Sequence, residues 1–172
     1  MSLPGSALAV APEVRRPVTF FISYAHRDDP AVESFLRLFA EMTTPSARYE
    51  YRLWRDRGGI PLGTDWHEMI QQALRECDFG LLLISPAFLG SRYIRQHELP
   101  PLQAKPVIPV ALQRVSHRHD QAWLPARQWF FLDRPGRAPL TFGECGIARL
   151  RRRFVEALFE QVEQRLDAAF GR

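Results

Sequence analysis

Three short segments of the chain hold side chains able to do chemistry. Ser23, Tyr24, His26 and Arg27 end or follow the apolar run VTFFISY at 18–24, Asp56 and Gly63 bound the tip of the loop RDRGGIPLG at 55–63, and Ser91, Tyr93 and Glu98 lie in SRYIRQHE at 91–98. A carboxylate set on an apolar background, as Glu98 is, can stabilise positive charge that develops at a reacting centre. Aromatic faces suit stacking on a base. Ser91 has two readings, a cap on the helix that follows or a contact to a ligand. Ser85 and Pro86 form a common strand exit, and Trp54 and Trp66 are expected in the core.

Other chemistries find no support in the spacing. His26, His67, His97, His117 and His119 do not recur with carboxylates at metal-ligand intervals, so no metal site is expected. Gly58 and Gly59 lack the G-x-G-x-x-G spacing of a phosphate-binding turn, and adjacent glycines instead grant the loop movement. Cys77 and Cys145 are the only cysteines and are unpaired in pattern, which points to two reduced thiols in a cytoplasmic protein.

The elements that must position these residues alternate along the chain. VTFFISY is a continuous run of mainly apolar and β-branched residues, as expected of a strand buried on both faces. Asp28 or Asp29 then caps a helix with Pro30 in its first turn, in which Val32, Phe35, Leu36, Phe39 and Met42 recur at helical spacing. In RYEYRLW at 48–54, Tyr49, Tyr51 and Leu53 alternate with charged residues, the pattern of an edge strand. Asp65 and Glu68 have capping-box spacing before a helix whose buried stripe reads Trp66, Ile70, Ala73, Leu74 and Cys77. FGLLLIS at 79–85 is a central strand, and the short helix after it is expected to stop at Pro100 and Pro101. VIPVAL at 107–112 and WFFL at 129–132 read as fourth and fifth strands, and 146–170 as a long helix with Ile147, Leu150, Phe154, Leu158, Val162 and Leu166 inward. Strand and helix alternation of this kind predicts an α/β, flavodoxin-like, doubly wound fold with a five-stranded parallel sheet. In such sheets a ligand sits beyond the carboxyl ends of the strands, where the strand order reverses, which is where the three segments fall.

Length and charge set limits. A chain of 172 residues, 46% hydrophobic, suits one domain, read here as a disordered leader over 1–16 and a folded unit over 17–172. A net charge of +4, carried by arginine apart from Lys105, is weak support for nucleic-acid binding, and none is expected for this chain alone. The apolar, proline-containing first residues lack the basic start and long apolar run of a signal peptide, and no run reaches the ~20 apolar residues of a membrane span.

Four segments in order carry a resemblance. FFISYAHRDD at 20–29, WRDRGGIPLG at 54–63, LLLISPAF with SRYIRQHE at 81–98, and QWFFLD at 128–133 resemble the signature boxes and the mobile BB loop of the TIR (Toll/interleukin-1 receptor) family, in its bacterial, NAD-cleaving form. The resemblance implies that Glu98 is the catalytic glutamate of an NAD+ hydrolase that releases nicotinamide and gives ADP-ribose or a cyclic isomer. NAD+ is then a substrate, and no cofactor is implied. Ser23, Tyr24, His26, Arg27, Asp56, Gly63, Ser91 and Tyr93 are the implied substrate-binding residues, with Arg27 toward the pyrophosphate. Many family members have tryptophan four residues before the glutamate; Ile94 stands there in this chain, and Tyr93 is expected to supply the ring. The resemblance further implies self-association through the 56–63 loop and a role in bacterial anti-phage immunity, with a sensor module either fused or separate. The alternative is a TIR adaptor that recruits other TIR domains without turning over NAD+.

Overall fold

The computed structural model describes residues 14–56, 65–122, 124 and 128–171. Four parallel strands form the main sheet, β1 (Arg16–Ser23), β2 (Tyr49–Trp54), β3 (Phe79–Ile84) and β4 (Val107–Ala111), in the order β2-β1-β3-β4. Around it lie α1 (Asp29–Thr43), α2 (Trp66–Glu76), α3 (Pro86–Gly90), α4 (Leu99–Gln103) and α5 (Ala148–Phe170). The result is the expected flavodoxin-like α/β arrangement.

The apolar strands are covered on both faces. Along β1, Val18, Phe20 and Ile22 enter a core shared with α1 and α5, whereas Phe21 enters a second core shared with α2 and α4. β3 divides in the same way, Phe79, Leu81 and Leu83 against Leu82 and Ile84. A side-chain period of two thus feeds two cores from one uninterrupted apolar run. β2 lies at the edge as its alternation predicts, and α5 covers it with carboxylates. The Tyr49 hydroxyl donates to Asp167 Oδ1 at 2.7 Å, the Tyr51 hydroxyl to Glu163 Oε1 at 2.6 Å, and Arg48 pairs with Asp167 at 2.6 Å.

The main sheet has four strands where five were expected. At 129–132 a single parallel bridge joins Phe130 to Val110, and Leu132 instead begins β5 (Leu132–Arg134), which pairs antiparallel with β6 (Arg137–Leu140) across a turn in which Gly136 has φ 67°. Pro109 supplies the reason. The Phe130 N–H donates to the Pro109 carbonyl at 2.8 Å and the Ala111 N–H to the Phe130 carbonyl at 2.9 Å. The next rung toward residue 128 would need an N–H on Pro109, which proline lacks.

Three other expectations are corrected. Pro100 and Pro101 do not end a helix; they sit in the first turn of α4, a position that tolerates proline. Ile147, expected inward, is 59% exposed because it occupies the N-cap of α5 and not its buried stripe. Trp66 likewise lies outside the core, at 37% exposure. Lys105, the single lysine, holds the end of α2 by donating to the Arg75 carbonyl at 2.8 Å and to the Cys77 carbonyl.

Gly80 fixes how closely α4 approaches the sheet. A Cβ at this position would lie 3.0 Å from Leu102 Cδ2 and 3.0 Å from Val107 Cγ1. Gly80→Ala is therefore expected to lower stability by about 1–3 kcal/mol through overpacking. Urea denaturation checks this, and an unchanged midpoint would mean that α4 yields without cost.

Candidate active site

The strand order reverses between β1 and β3, since β2 lies outside one and β4 outside the other. Chain segments leaving β1 and β3 diverge there and open a cleft. Its volume is about 720 Å³, and its lining includes Tyr24, His26 and Arg27 after β1, Ser91, Tyr93 and Glu98 after β3, and Gln113 after β4.

Glu98 ends a π-helical turn, Ile94–Glu98, and is 8% exposed. The Leu99 N–H closes this turn onto the Ile94 carbonyl, five residues back. The prolines account for the wide turn: Pro100 and Pro101 have no N–H to offer the carbonyls of Gln96 and His97 in an α-helical bond. The His97 carbonyl accepts instead from Gln71 Nε2 of α2 at 3.0 Å. Turns of this type recur at functional sites. In an α-helix the residue stacked on Glu98 would be Ile94. A turn closed over five residues brings Tyr93 round to the same side, and Tyr93 lines the cleft while Ile94 is 2% exposed.

The Glu98 carboxylate accepts a hydrogen bond from Ser23 Oγ at 2.5 Å, and among the described residues it forms no ion pair. Burial pushes its pKa up from the ordinary 4.5 to about 7; the Ser23 hydrogen bond opposes this, and the negative charge of Asp56 adds to it.

Behind the cleft a second carboxyl group ties three strand ends together. Asp28 occupies the N-cap position of α1 but makes no side-chain cap bond. Ser85 Oγ donates to its Oδ2 at 2.5 Å and Gln113 Nε2 to its Oδ1 at 3.1 Å. Burial raises the Asp28 pKa, and the Ser85 hydrogen bond works against the rise. Ser85 also caps α3 by accepting from the Phe88 N–H at 2.9 Å. The exits of β1, β3 and β4 are thereby fixed to one another.

Asp56 organises the mouth. Its backbone carbonyl accepts from the Tyr24 hydroxyl at 2.5 Å, and its Oδ2 meets His26 Nε2 at 3.2 Å and the Trp66 indole N–H at 2.6 Å. The Trp66 ring packs on Tyr93 with centroids 4.5 Å apart. The Tyr93 hydroxyl lies 3.1 Å from His67 Nδ1.

Of the residues singled out in the sequence, Glu98, Ser23, Tyr24, His26, Arg27, Ser91 and Tyr93 gather at the cleft, with Asp56 at its mouth. Ser91 accepts from the Ile94 N–H at 3.3 Å, so the cap reading fits, and it also lines the cleft. Gly63 lies outside the described residues. Trp66 and Gln113 line the cleft and were not anticipated. Gln113 had a signal, since it follows the apolar run of β4 just as Ser85 follows that of β3.

A family model described as TIR domain matches residues 20–141, a span that contains every residue lining the cleft. The chain belongs to the TIR-domain family. A comparison with curated proteins finds no match. Among the described residues of this TIR domain, no helix is long and apolar enough to cross a membrane.

The raised Glu98 pKa has a measurable sign. Between about pH 4.5 and 7 the folded state keeps a proton that the unfolded state releases, so the stability due to Glu98 is full below this window and is lost as pH rises through it. Glu98→Gln is expected to gain stability relative to wild type across that window, by roughly 2–3 kcal/mol at its upper end. Paired thermal melts from pH 4.5 to 8 measure the gap, and a gap independent of pH would place the Glu98 proton elsewhere.

Proposed function

We propose that this TIR domain is an NAD+ glycohydrolase in which Glu98 is the catalytic carboxylate. The observation that carries the reading is the buried Glu98 carboxyl group in the wall of the cleft, held by Ser23, in a cleft that Tyr24, Trp66 and Tyr93 also line.

The chemistry needs one carboxylate only. The bond from ribose C1′ to the pyridinium nitrogen breaks with its electron pair going to that nitrogen, so nicotinamide departs neutral and needs no acid. Ordinary glycosidases require a second carboxyl group because their leaving oxygen must be protonated. Positive charge develops at C1′, and ionised Glu98 stabilises it while accepting hydrogen bonds from the ribose hydroxyls. A water oxygen then bonds to C1′ and gives up its proton, yielding ADP-ribose; capture of the same centre by an adenine nitrogen yields a cyclic isomer and no water is consumed.

The protonation of Glu98 fits a cationic substrate. In the free enzyme a pKa of about 7 leaves a large share of the carboxyl groups neutral near neutral pH. The pyridinium charge favours the ionised form once the substrate is bound. Accordingly kcat/KM, which reports the free enzyme, is expected to rise with pH through about 7, and the midpoint for kcat is expected to lie lower. Glu98→Gln is expected to release no nicotinamide while staying folded. Chromatography of nicotinamide, ADP-ribose and cyclic isomers decides both points, and near-normal turnover by the folded variant would remove Glu98 from the mechanism.

By family resemblance the same reading makes the domain an effector of bacterial immunity against phage, active when self-associated. The sequence feature behind it is the apolar tip Ile60, Pro61 and Leu62, which lies outside the described residues and is costly to leave exposed. Specific activity is expected to rise with protein concentration, and Ile60→Asp with Leu62→Asp to suppress that rise without unfolding the domain. Constant activity per molecule from nanomolar to high micromolar protein would identify a monomeric enzyme. If no nicotinamide is released at any concentration, the domain acts by association alone.

A further inference from the structure

Trp66, which the sequence pattern assigns to a buried stripe, is partly exposed and has no role in the catalytic reading. It opens α2, one residue after the cap residue Asp65, and an indole at that place could point into solvent at little cost. Instead two contacts fix it. The indole N–H donates to Asp56 Oδ2 at 2.6 Å, and the ring packs on Tyr93 at 4.5 Å with the planes inclined at 39°. What stays accessible, 37% of the residue, includes surface that lines the cleft. An anchored aromatic ring left partly open beside a buried carboxyl group is a ready surface for a second flat ring, with its ordering entropy already met by the Asp56 and Tyr93 contacts.

The ring that this surface fits can be named by charge and by reach. Glu98 must meet the ribose carbon that bears nicotinamide, so nicotinamide, and not adenine, is the ring beside Tyr93 and Trp66. The carboxylates of Asp56 and Glu98 both act on this side of the cleft: each raises the Tyr93 phenol, which burial and these charges push up to about 12. Negative charge of this kind favours a cation over a neutral ring, and the π-face of tryptophan has the same preference.

We propose that Trp66 is the ring on which the nicotinamide of NAD+ stacks, and that it selects the positively charged oxidised ring over neutral ones. The proposal rests on the reading of the cleft as an NAD+ site. Trp66 then supplies from α2 the indole that residue 94 does not. It also acts on the product: cleavage turns the pyridinium into neutral nicotinamide, the cation–π attraction disappears, and the leaving group loses its hold on the site.

The test compares ligands that differ only at this ring. Calorimetric titration of the full chain carrying Glu98→Gln, with and without a change at Trp66, would use NAD+, NADH and ADP-ribose as probes. Trp66→Ala and Trp66→Leu are expected to weaken NAD+ by about 10- to 100-fold while changing ADP-ribose by less than about 3-fold, and Trp66→Phe to retain most of the affinity. The preference for NAD+ over NADH should fall with the same substitutions. Trp66→Leu keeps apolar bulk without a π-face, so it separates stacking from simple packing. In the enzyme with Glu98 intact, KM for NAD+ should rise far more than kcat falls. Equal weakening of NAD+ and ADP-ribose, or no change in either, would overturn the assignment of Trp66 while leaving the NAD+ reading in place. Failure of the Glu98→Gln chain to bind NAD+, together with no nicotinamide release by wild type, would overturn both.

Discussion

A carboxyl group taken out of water must be neutral or well partnered, and the cleft of this TIR domain is arranged around that constraint at Glu98. The group is buried with one hydroxyl donor, Ser23, whose place at the end of β1 is fixed by the pairing of that strand with β2 and β3. Glu98 reaches Ser23 because a wide helical turn presents it, and that turn exists because two prolines follow. α4 then descends onto β3 at the one position where the strand has no side chain, Gly80. Moving any of these parts would leave the carboxyl group without its donor or expose it to solvent.

Charge is distributed in the cleft with the same economy. Glu98 and Asp28 are the buried carboxyl groups among the described residues, and each has hydroxyl or amide donors in place of a cation. Asp56, nearer the mouth, meets the imidazole of His26 and the indole N–H of Trp66. The interior thus favours a cation, whereas Arg27, exposed at the rim, offers the complementary sign for an anionic part of the same ligand. On the proposed NAD+ reading, the pyridinium would take the inner position and the phosphates the outer one.

The architecture was legible because Phe20, Phe21 and Ile22 of β1 and the whole of β3 form uninterrupted apolar runs, a pattern that a sheet covered on both faces explains. The cleft was legible in part: Tyr24, His26 and Arg27 directly follow the β1 run, whereas Ser91, Tyr93 and Glu98 come from the segment after β3 and Trp66 opens α2. What escaped the sequence depends on missing hydrogen-bond donors and on helix ends. Pro109 sits within an apolar run that reads as a strand, and it is one, but its silent nitrogen faces the neighbour that would have been a fifth strand. Pro100 and Pro101 read as a stop, whereas the chain uses them to start α4 and to widen the turn before it. Trp66 and Ile147 both obey helical periodicity with their stripes, yet each lies at a helix terminus, past the edge of the surface that the stripe covers. Asp28 resembled a helix cap because spacing shows which backbone amides are near and not that Ser85 and Gln113 are nearer in space.

Pro109 also bears on how copies of the domain can meet. A sheet whose outer strand presents a complete row of donors and acceptors is a template for continuous pairing, the geometry of cross-β stacking. On β4 that row is broken at Pro109, and its neighbouring positions are already occupied by the bridge to Phe130. Each molecule therefore keeps a sheet that closes on its own boundary at this side. At this edge a neighbouring copy could be met only through loops and helix surfaces, contacts that can be dissolved and remade, and not through an extended ladder of backbone hydrogen bonds.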